Sequence, residues 1–267
     1  MSMIIVAAVF IAVVGVIAAV LLNTAAKFMA VEVDEHIAQI TEVLPGANCG
    51  ACGFAGCSGY AEALCSGAED KPNLCTPGGK PVLDKVSAIL GVKAGEAAHK
   101  YAVVHCRGDA DVQQSKMKYT GIQTCLAAKQ LFGGEGACTF GCLGYGDCKV
   151  VCQKDAICMD NGLAKINSMA CAGCGLCVKA CPNNLISIWE AGPAVFVICK
   201  SHEKGAVVRK KCSKGCIACG KCVRECPNQA VTLVDNLAVI DYEKCVDCGH
   251  CAEICIVKCI NETKVLA

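Results

Sequence analysis

The sequence predicts an α+β fold: small units held together by cysteine chemistry, carried behind a single amino-terminal transmembrane helix. Three observations predict it. There are 27 cysteines among 267 residues, an uncharged apolar run covers residues 3–22, and a four-cysteine spacing recurs along the second half. With cysteine at about a tenth of all positions, thiol chemistry rather than an ordinary core dictates the architecture. Only 4% of residues are aromatic, so several metal-stapled units are expected in place of one large hydrophobic core.

The first element is the apolar run, MIIVAAVFIAVVGVIAAVLL, twenty positions without a charge. At about 1.5 Å per residue such a helix crosses the roughly 30 Å hydrocarbon layer. A cleaved signal peptide fits less well, because no Lys or Arg precedes the run and its length exceeds the usual apolar stretch of a signal. The flank offers only Lys27 before Glu32, Asp34 and Glu35, so counting positive charges does not set orientation. Thiol chemistry sets it: the cysteine spacing is not that of a disulfide framework, and reduced thiols belong on the cytoplasmic side. The expectation is a single-pass protein of the plasma (cell inner) membrane.

The second half repeats one pattern. Residues 171–181 read CAGCGLCVKAC, residues 216–226 CIACGKCVREC, and residues 245–255 CVDCGHCAEIC. Each is CxxCxxCxxxC, the bacterial ferredoxin run, in which three thiolates hold one [4Fe-4S] cubane and the fourth completes its neighbour. The candidate ligands are therefore Cys171, Cys174, Cys177, Cys181, Cys216, Cys219, Cys222, Cys226, Cys245, Cys248, Cys251 and Cys255. A lone CxxC pair would fit a zinc knuckle as well, but three cysteines at three-residue intervals crowd one short loop as a cubane corner needs.

Cross-pairing demands an even number of copies, and a variant stands upstream at Cys138, Cys142, Cys148 and Cys152, with Tyr145 where a cysteine is missing. Cys138 is the expected replacement. It matches Cys212, which the regular third copy does not need. Gln153 and Ile256 follow Cys152 and Cys255 where proline is usual, loosening both fourth positions. Cys259 lies four residues beyond Cys255 as a competing thiol, and Cys255 is the expected ligand on spacing.

Between the copies, short alternating runs meet turn signals: 156–159 before Asn161 and Gly162, 185–189 before 191–193, and 231–234 before Asp235 and Asn236. These read as hairpins flanking cluster loops. The expected division is an anchor at 1–26, an amino-terminal [4Fe-4S] domain at 27–80 and a connecting region at 81–135. A two-cluster ferredoxin-like module at 136–193, a connector at 194–209 and a second two-cluster module at 210–267 follow.

Just after the anchor, residues 45–57 read PGANCGACGFAGC, giving Cys49, Cys52 and Cys57, with Cys75 downstream as the fourth thiol of a further cluster. Gly46, Gly50, Gly53 and Gly56 make a tight loop with room for a bulky cofactor, and a helix over 31–43, N-capped by Asp34, would present it. Over nearly its whole length the chain resembles the B subunit of the Rnf-type ion-translocating oxidoreductases, in the long form with two tandem ferredoxin modules. The loop after the anchor is the specific part of that resemblance. It implies an electron-input subunit that takes electrons from soluble reduced ferredoxin and passes them to flavoprotein and integral membrane subunits. Those partners would use the drop to NAD or a membrane carrier to move Na+ or H+.

Seven thiols remain: Cys65, Cys106, Cys125, Cys158, Cys199, Cys212 and Cys259. Cys106 and Cys199 each end an apolar run ahead of a module, which marks them as duplicated equivalents. With Cys125 and Cys212 they are candidates for a sixth cluster beside the five. Free cysteine is otherwise a small buried hydrophobe, and none of His36, His105, His202 and His250 has ligand spacing to another histidine.

The formal net charge of +1 counts thiols as neutral. Bound thiolates make the loaded protein acidic, and with few aromatics and no basic run nucleic acid is not an expected partner. The glycine-rich stretch 133–136 lacks a preceding strand and the GxGxxG register, so no flavin or nucleotide is expected on this chain. No acid–base pair or nucleophile is visible, so it transforms no substrate alone; its oxidoreductase activity is that of an assembly. The competing functions are a relay in a hydrogenase or formate-oxidising complex and a structural zinc protein.

Overall fold

The computed structural model describes residues 2–28, 34–95, 99–190 and 195–262. Helix α1 runs Ser2–Phe28, and its described apolar side chains face outward, Phe10 69% and Leu22 72% exposed. Counted over the described residues alone, no helix is long and apolar enough to cross a membrane. The expected span falls partly outside them, at the side chains of positions 3, 4, 6–9 and 11.

The amino-terminal domain packs α2 (Glu35–Val43), α3 (Cys57–Cys65) and α4 (Gly79–Leu90) around one small core. The Asp34 carboxylate caps α2 by accepting from the His36 N–H at 2.9 Å; positions 31–33 of the expected helix lie outside the described residues. Apolar residues at helical spacing, Ile40 and Leu44 on one side and Tyr60, Ala61 and Leu64 on another, meet Val86, and Cys52, Cys57 and Cys75 border that cluster.

Two ferredoxin-like modules of mixed helix and strand follow. The first contains β1 (Lys100–Val104), α5 (Cys125–Gln130), α6 (Asp147–Val150), β2 (Ile157–Asp160), β3 (Leu163–Ile166), α7 (Leu176–Ala180) and β4 (Ile186–Glu190). The second contains β5 (Val195–Val197), α8 (Gly205–Lys211), α9 (Lys221–Arg224), β6 (Val231–Val234), β7 (Leu237–Ile240), α10 (His250–Glu253) and β8 (Ile260–Glu262). β2–β3 and β6–β7 are the hairpins expected at the Asn161-Gly162 and Asp235-Asn236 turns. The third expected hairpin does not form. β4 instead pairs antiparallel with β1, Lys100 opposite Glu190, and β5 pairs with β8, Val195 opposite Glu262. Each module thus recruits its edge strand from a stretch expected only to connect.

Strand alternation explains why residues 101–104 and 195–197 are apolar on both faces. Ala102 faces the core of the first module while Tyr101 and Val103 face away; Val195 and Val197 face the core of the second while Phe196 faces away. The outward residues meet in a separate apolar layer, Tyr101, Val103, Phe196 and Ile198, bordered by Trp189 and Tyr242. Trp189 packs edge-on against Phe196 and Tyr242 with ring centroids 5.0 and 4.5 Å away. Buried His105 also ties the modules, pairing through its ring with the Val197 carbonyl of one and the Ser187 hydroxyl of the other.

Candidate metal centres

All 27 cysteines are free thiols, so a disulfide framework is excluded. Among the described residues no three His, Cys, Asp or Glu side chains close on a point as a single tetrahedral ion demands. The thiols ring cavities instead.

The first cavity is the one expected behind the anchor. Cys49, Cys52, Cys57 and Cys75 line it together with Leu44, Pro45, Tyr60 and Pro77. Four glycines make the loop possible: Gly46, Gly50, Gly53 and Gly56 all have positive φ, from 67° to 127°, where a side chain would be strained. The Asn48 side chain pins the turn by accepting from the Cys57 N–H at 2.8 Å. Tyr60 donates to the Lys71 carbonyl at 2.8 Å and accepts from the Leu74 N–H, which brings the distant Cys75 beside the triplet.

The four repeat loops share one backbone device. Gly146, Gly175, Gly220 and Gly249 sit at φ 70–81° and start the short helices that carry Cys148, Cys177, Cys222 and Cys251. The variant copy keeps this turn although Tyr145 has replaced its cysteine. The expected Cys138 does not lie with the other thiols of its copy. A cavity in the first module is lined by Cys125, Cys142, Cys148 and Cys181; Cys138 is absent from it and lines another. The cause is local: the Asp147 carboxylate, beside Cys148, accepts from the N–H groups of Cys125 at 2.9 Å and Leu126 at 3.1 Å. Asp147 and the Thr124 cap hold the start of α5 over the cavity.

In the remaining loops the thiols crowd one another. Burial first, then the neighbouring thiols Cys171, Cys174 and Cys152, push Cys177 up to about 11. Cys222 is raised likewise by burial and by Cys216, Cys219, Cys255 and Cys251, and Cys251 by burial and by Cys245, Cys248 and Cys226. Such thiols take iron only by giving up protons. Backbone N–H groups point at several sulfurs: Leu185 to Cys181 at 3.4 Å, Ala230 to Cys226 at 3.3 Å, and both Ala102 and Gly173 to Cys171 at 3.4 Å.

Cys259 occupies the place, four residues after a fourth thiol, held by buried Ala156, Leu185 and Ala230 in the other copies. It is a core side chain whose Sγ lies 3.6 Å from that of Cys255. Their hydrogen bond holds Cys255 below the usual thiol range. Cys65 lies at the end of α3 and Cys158 is exposed on β2. Of the thiols in the repeats, Cys219 and Cys248 alone are exposed. Cys174 is partly covered, and nearby Lys179 of α7 donates to the Cys49 carbonyl of the amino-terminal domain at 3.2 Å.

Four thiols around one cavity, with N–H groups aimed at sulfur, suit [4Fe-4S] clusters in both donor set and surrounding hydrogen bonds. Known families agree. An Fe-S cluster family matches residues 44–77, and 4Fe-4S dicluster families match residues 170–231 and 215–259. The chain is 39% identical over 248 residues to the B subunit of the Na(+)-translocating ferredoxin:NAD(+) oxidoreductase complex of Acetobacterium woodii, covering 92% of this chain and 74% of that one. It is 40% identical over 260 residues to the B subunit of the proton-translocating ferredoxin:NAD(+) oxidoreductase complex of Clostridium ljungdahlii, covering 97% and 91%. It is 37% identical over 249 residues to the B subunit of the ion-translocating oxidoreductase complex of Methanosarcina acetivorans, covering 92% and 94%. With relatives this similar along most of both chains, the protein belongs to the family of B subunits of the Rnf-type ion-translocating oxidoreductases.

Proposed function

We propose that this chain is the electron-input subunit of a membrane ferredoxin:NAD oxidoreductase that translocates Na+ or H+. It would receive electrons from soluble ferredoxin and hand them to flavoprotein and integral membrane subunits. The observation that carries the reading is four thiols around one cavity behind α1 and again in the first module, with 4Fe-4S dicluster families matching residues 170–231 and 215–259. Five sets are proposed as [4Fe-4S] ligands: Cys49, Cys52, Cys57 and Cys75; Cys125, Cys142, Cys148 and Cys181; Cys152, Cys171, Cys174 and Cys177; Cys216, Cys219, Cys222 and Cys255; and Cys226, Cys245, Cys248 and Cys251.

Each bound cluster supplies reversible one-electron chemistry. The protein supplies thiolates, N–H donors that favour added negative charge at sulfur, and apolar cores that exclude water. Adjacency of sets does the rest. Lys179 of the first module donates to the Cys49 carbonyl of the amino-terminal domain at 3.2 Å, which supports transfer between the loop behind the anchor and the first ferredoxin-like pair.

Helix α1 is proposed as a single-pass anchor in the cell inner membrane with the modules on the cytoplasmic face. Support comes from the twenty uncharged positions at 3–22 and from a helical backbone over Ser2–Phe28. The test is anaerobic purification of the tagged full chain in mild detergent, with assay of iron, acid-labile sulfide and companions. Iron and sulfide of at least about 20 per chain, bleaching on addition of reduced ferredoxin, and membrane flavoproteins as companions are expected. A colourless zinc protein, or a hydrogenase as companion, would overturn the reading.

A further inference from the structure

Four cysteines outside the five sets surround one cavity between the modules: Cys106, Cys138, Cys199 and Cys212. Each module contributes two of them, in matched positions. Cys106 follows β1 and Cys199 follows β5, the two strands whose outward faces form the layer between modules. Cys138 precedes Cys142 by four residues, and Cys212 precedes Cys216 by four.

The backbone brings the pairs together. The Gln114 N–H donates to the Lys211 carbonyl at 3.0 Å and the Ser213 N–H to the Val112 carbonyl at 3.3 Å, while on the other side the Ala137 N–H donates to the Gln114 carbonyl at 2.7 Å. The stretch 112–114 therefore lies between the segments carrying Cys138 and Cys212.

The sulfur surroundings repeat the same symmetry. Cys106 Sγ accepts from the N–H groups of Gly108 and Cys142, both at 3.4 Å. Cys199 Sγ accepts from Ser201 at 3.5 Å and Cys216 at 3.4 Å. In each case one donor is two residues ahead and the other is the peptide of the first repeat thiol of that module. Arg107, Lys200, Lys211 and Lys214 line the cavity as well, against the single carboxylate of Glu203, which is paired to Lys211. Four thiolates around a cubane carry about two net negative charges, and this lining answers them. The Gln113 amide oxygen, buried in the same cavity, has no partner among the described residues.

We propose that Cys106, Cys138, Cys199 and Cys212 hold a sixth [4Fe-4S] cluster that bridges the two modules. The proposal rests on the reading that the other sets hold cubanes. Its hydrogen bonds from Cys142 and Cys216, ligands in the first and the second module, make it the step between them.

The experiment compares full-length variants purified anaerobically in detergent, scored by iron and sulfide per chain and by reductive titration followed by electron spin resonance. Wild type is expected to carry about 24 iron atoms. Cys138→Ser and Cys212→Ser should each fall to about 20 and lose the same reduced-state signal. Cys125→Ser should also fall to about 20 but lose a different one, and Cys158→Ser should lose none. A wild type with about 20 iron atoms, or with one zinc in addition, ends the sixth cluster and leaves the five intact. A Cys212→Ser variant that keeps all of its iron also ends it. Should a variant fail to fold, the wild-type count still decides. Absence of iron and sulfide altogether would instead remove the electron-transfer reading beneath it.

Discussion

At the scale of single residues, Cys255 and Cys259 show how similar side chains in one turn are told apart. Cys259 fills a buried core position equivalent to Leu185 and Ala230, its Sγ 3.6 Å from that of Cys255, whereas Cys255 is proposed as a ligand with the Cys216, Cys219 and Cys222 loop. Cys255→Ser is expected to remove about four iron atoms. Cys259→Ala is expected to keep them while costing about 1 kcal/mol of stability and lowering the reduction potential, because a donor to sulfur is lost. Iron assay with redox titration of both variants checks the distinction; loss of iron from Cys259→Ala with retention in Cys255→Ser would reverse it. Cysteine spacing alone already pointed to Cys255. It also held the clue to the variant copy, since Cys138 and Cys212 precede their repeats by the same interval. Equivalent positions share one cavity, and Cys125 lines that of Cys142, Cys148 and Cys181. What spacing could not supply was Asp147, whose two hydrogen bonds bring α5 in from 22 residues upstream of it.

At the scale of elements, the repeat loops were readable because the Gly turn, the short helix and the thiols recur at fixed intervals. The strand partners were less so. A four-residue apolar run such as 101–104 has no mark of which strand it joins, and β1 and β4 lie on either side of two cluster motifs. The loop at Gly173 shows how closely these pieces meet. Its φ is +63°, and a Cβ there would stand 2.5 Å from Lys100 Cβ and 2.7 Å from the Lys100 carbonyl oxygen, on β1. Gly175 has φ +76° with nothing within 4 Å. Gly173→Ala is therefore expected to cost about 2–5 kcal/mol, combining left-handed strain with overpacking, and Gly175→Ala about 1–2 kcal/mol from strain alone. The temperature at which visible absorption bleaches should fall in that order; equal falls would mean that the approach to β1 is not tight.

At the scale of the whole molecule, each unit has thiols woven into its core: Cys52, Cys57 and Cys75 border one, Cys148 and Cys177 belong to the next, Cys216 and Cys222 to the last. Folding and cluster assembly are then a single event. Stripping iron with a chelator and reductant is expected to unfold the modules while helical signal from α1 persists. The one tryptophan, Trp189, reports it from the layer between the modules: its emission should rise and shift to the red as that layer opens, and an unchanged spectrum would show that packing survives without metal. The tandem division was visible in the repeats, but the apolar layer between modules was not, because it is made by the reverse faces of strands whose partners had not been identified. The thiols of this chain are sheltered nearly everywhere, yet Cys219 and Cys248 in the second module are bare to the solvent. Dioxygen reaches uncovered sulfur first, so loss of iron in air is expected to begin at that tip.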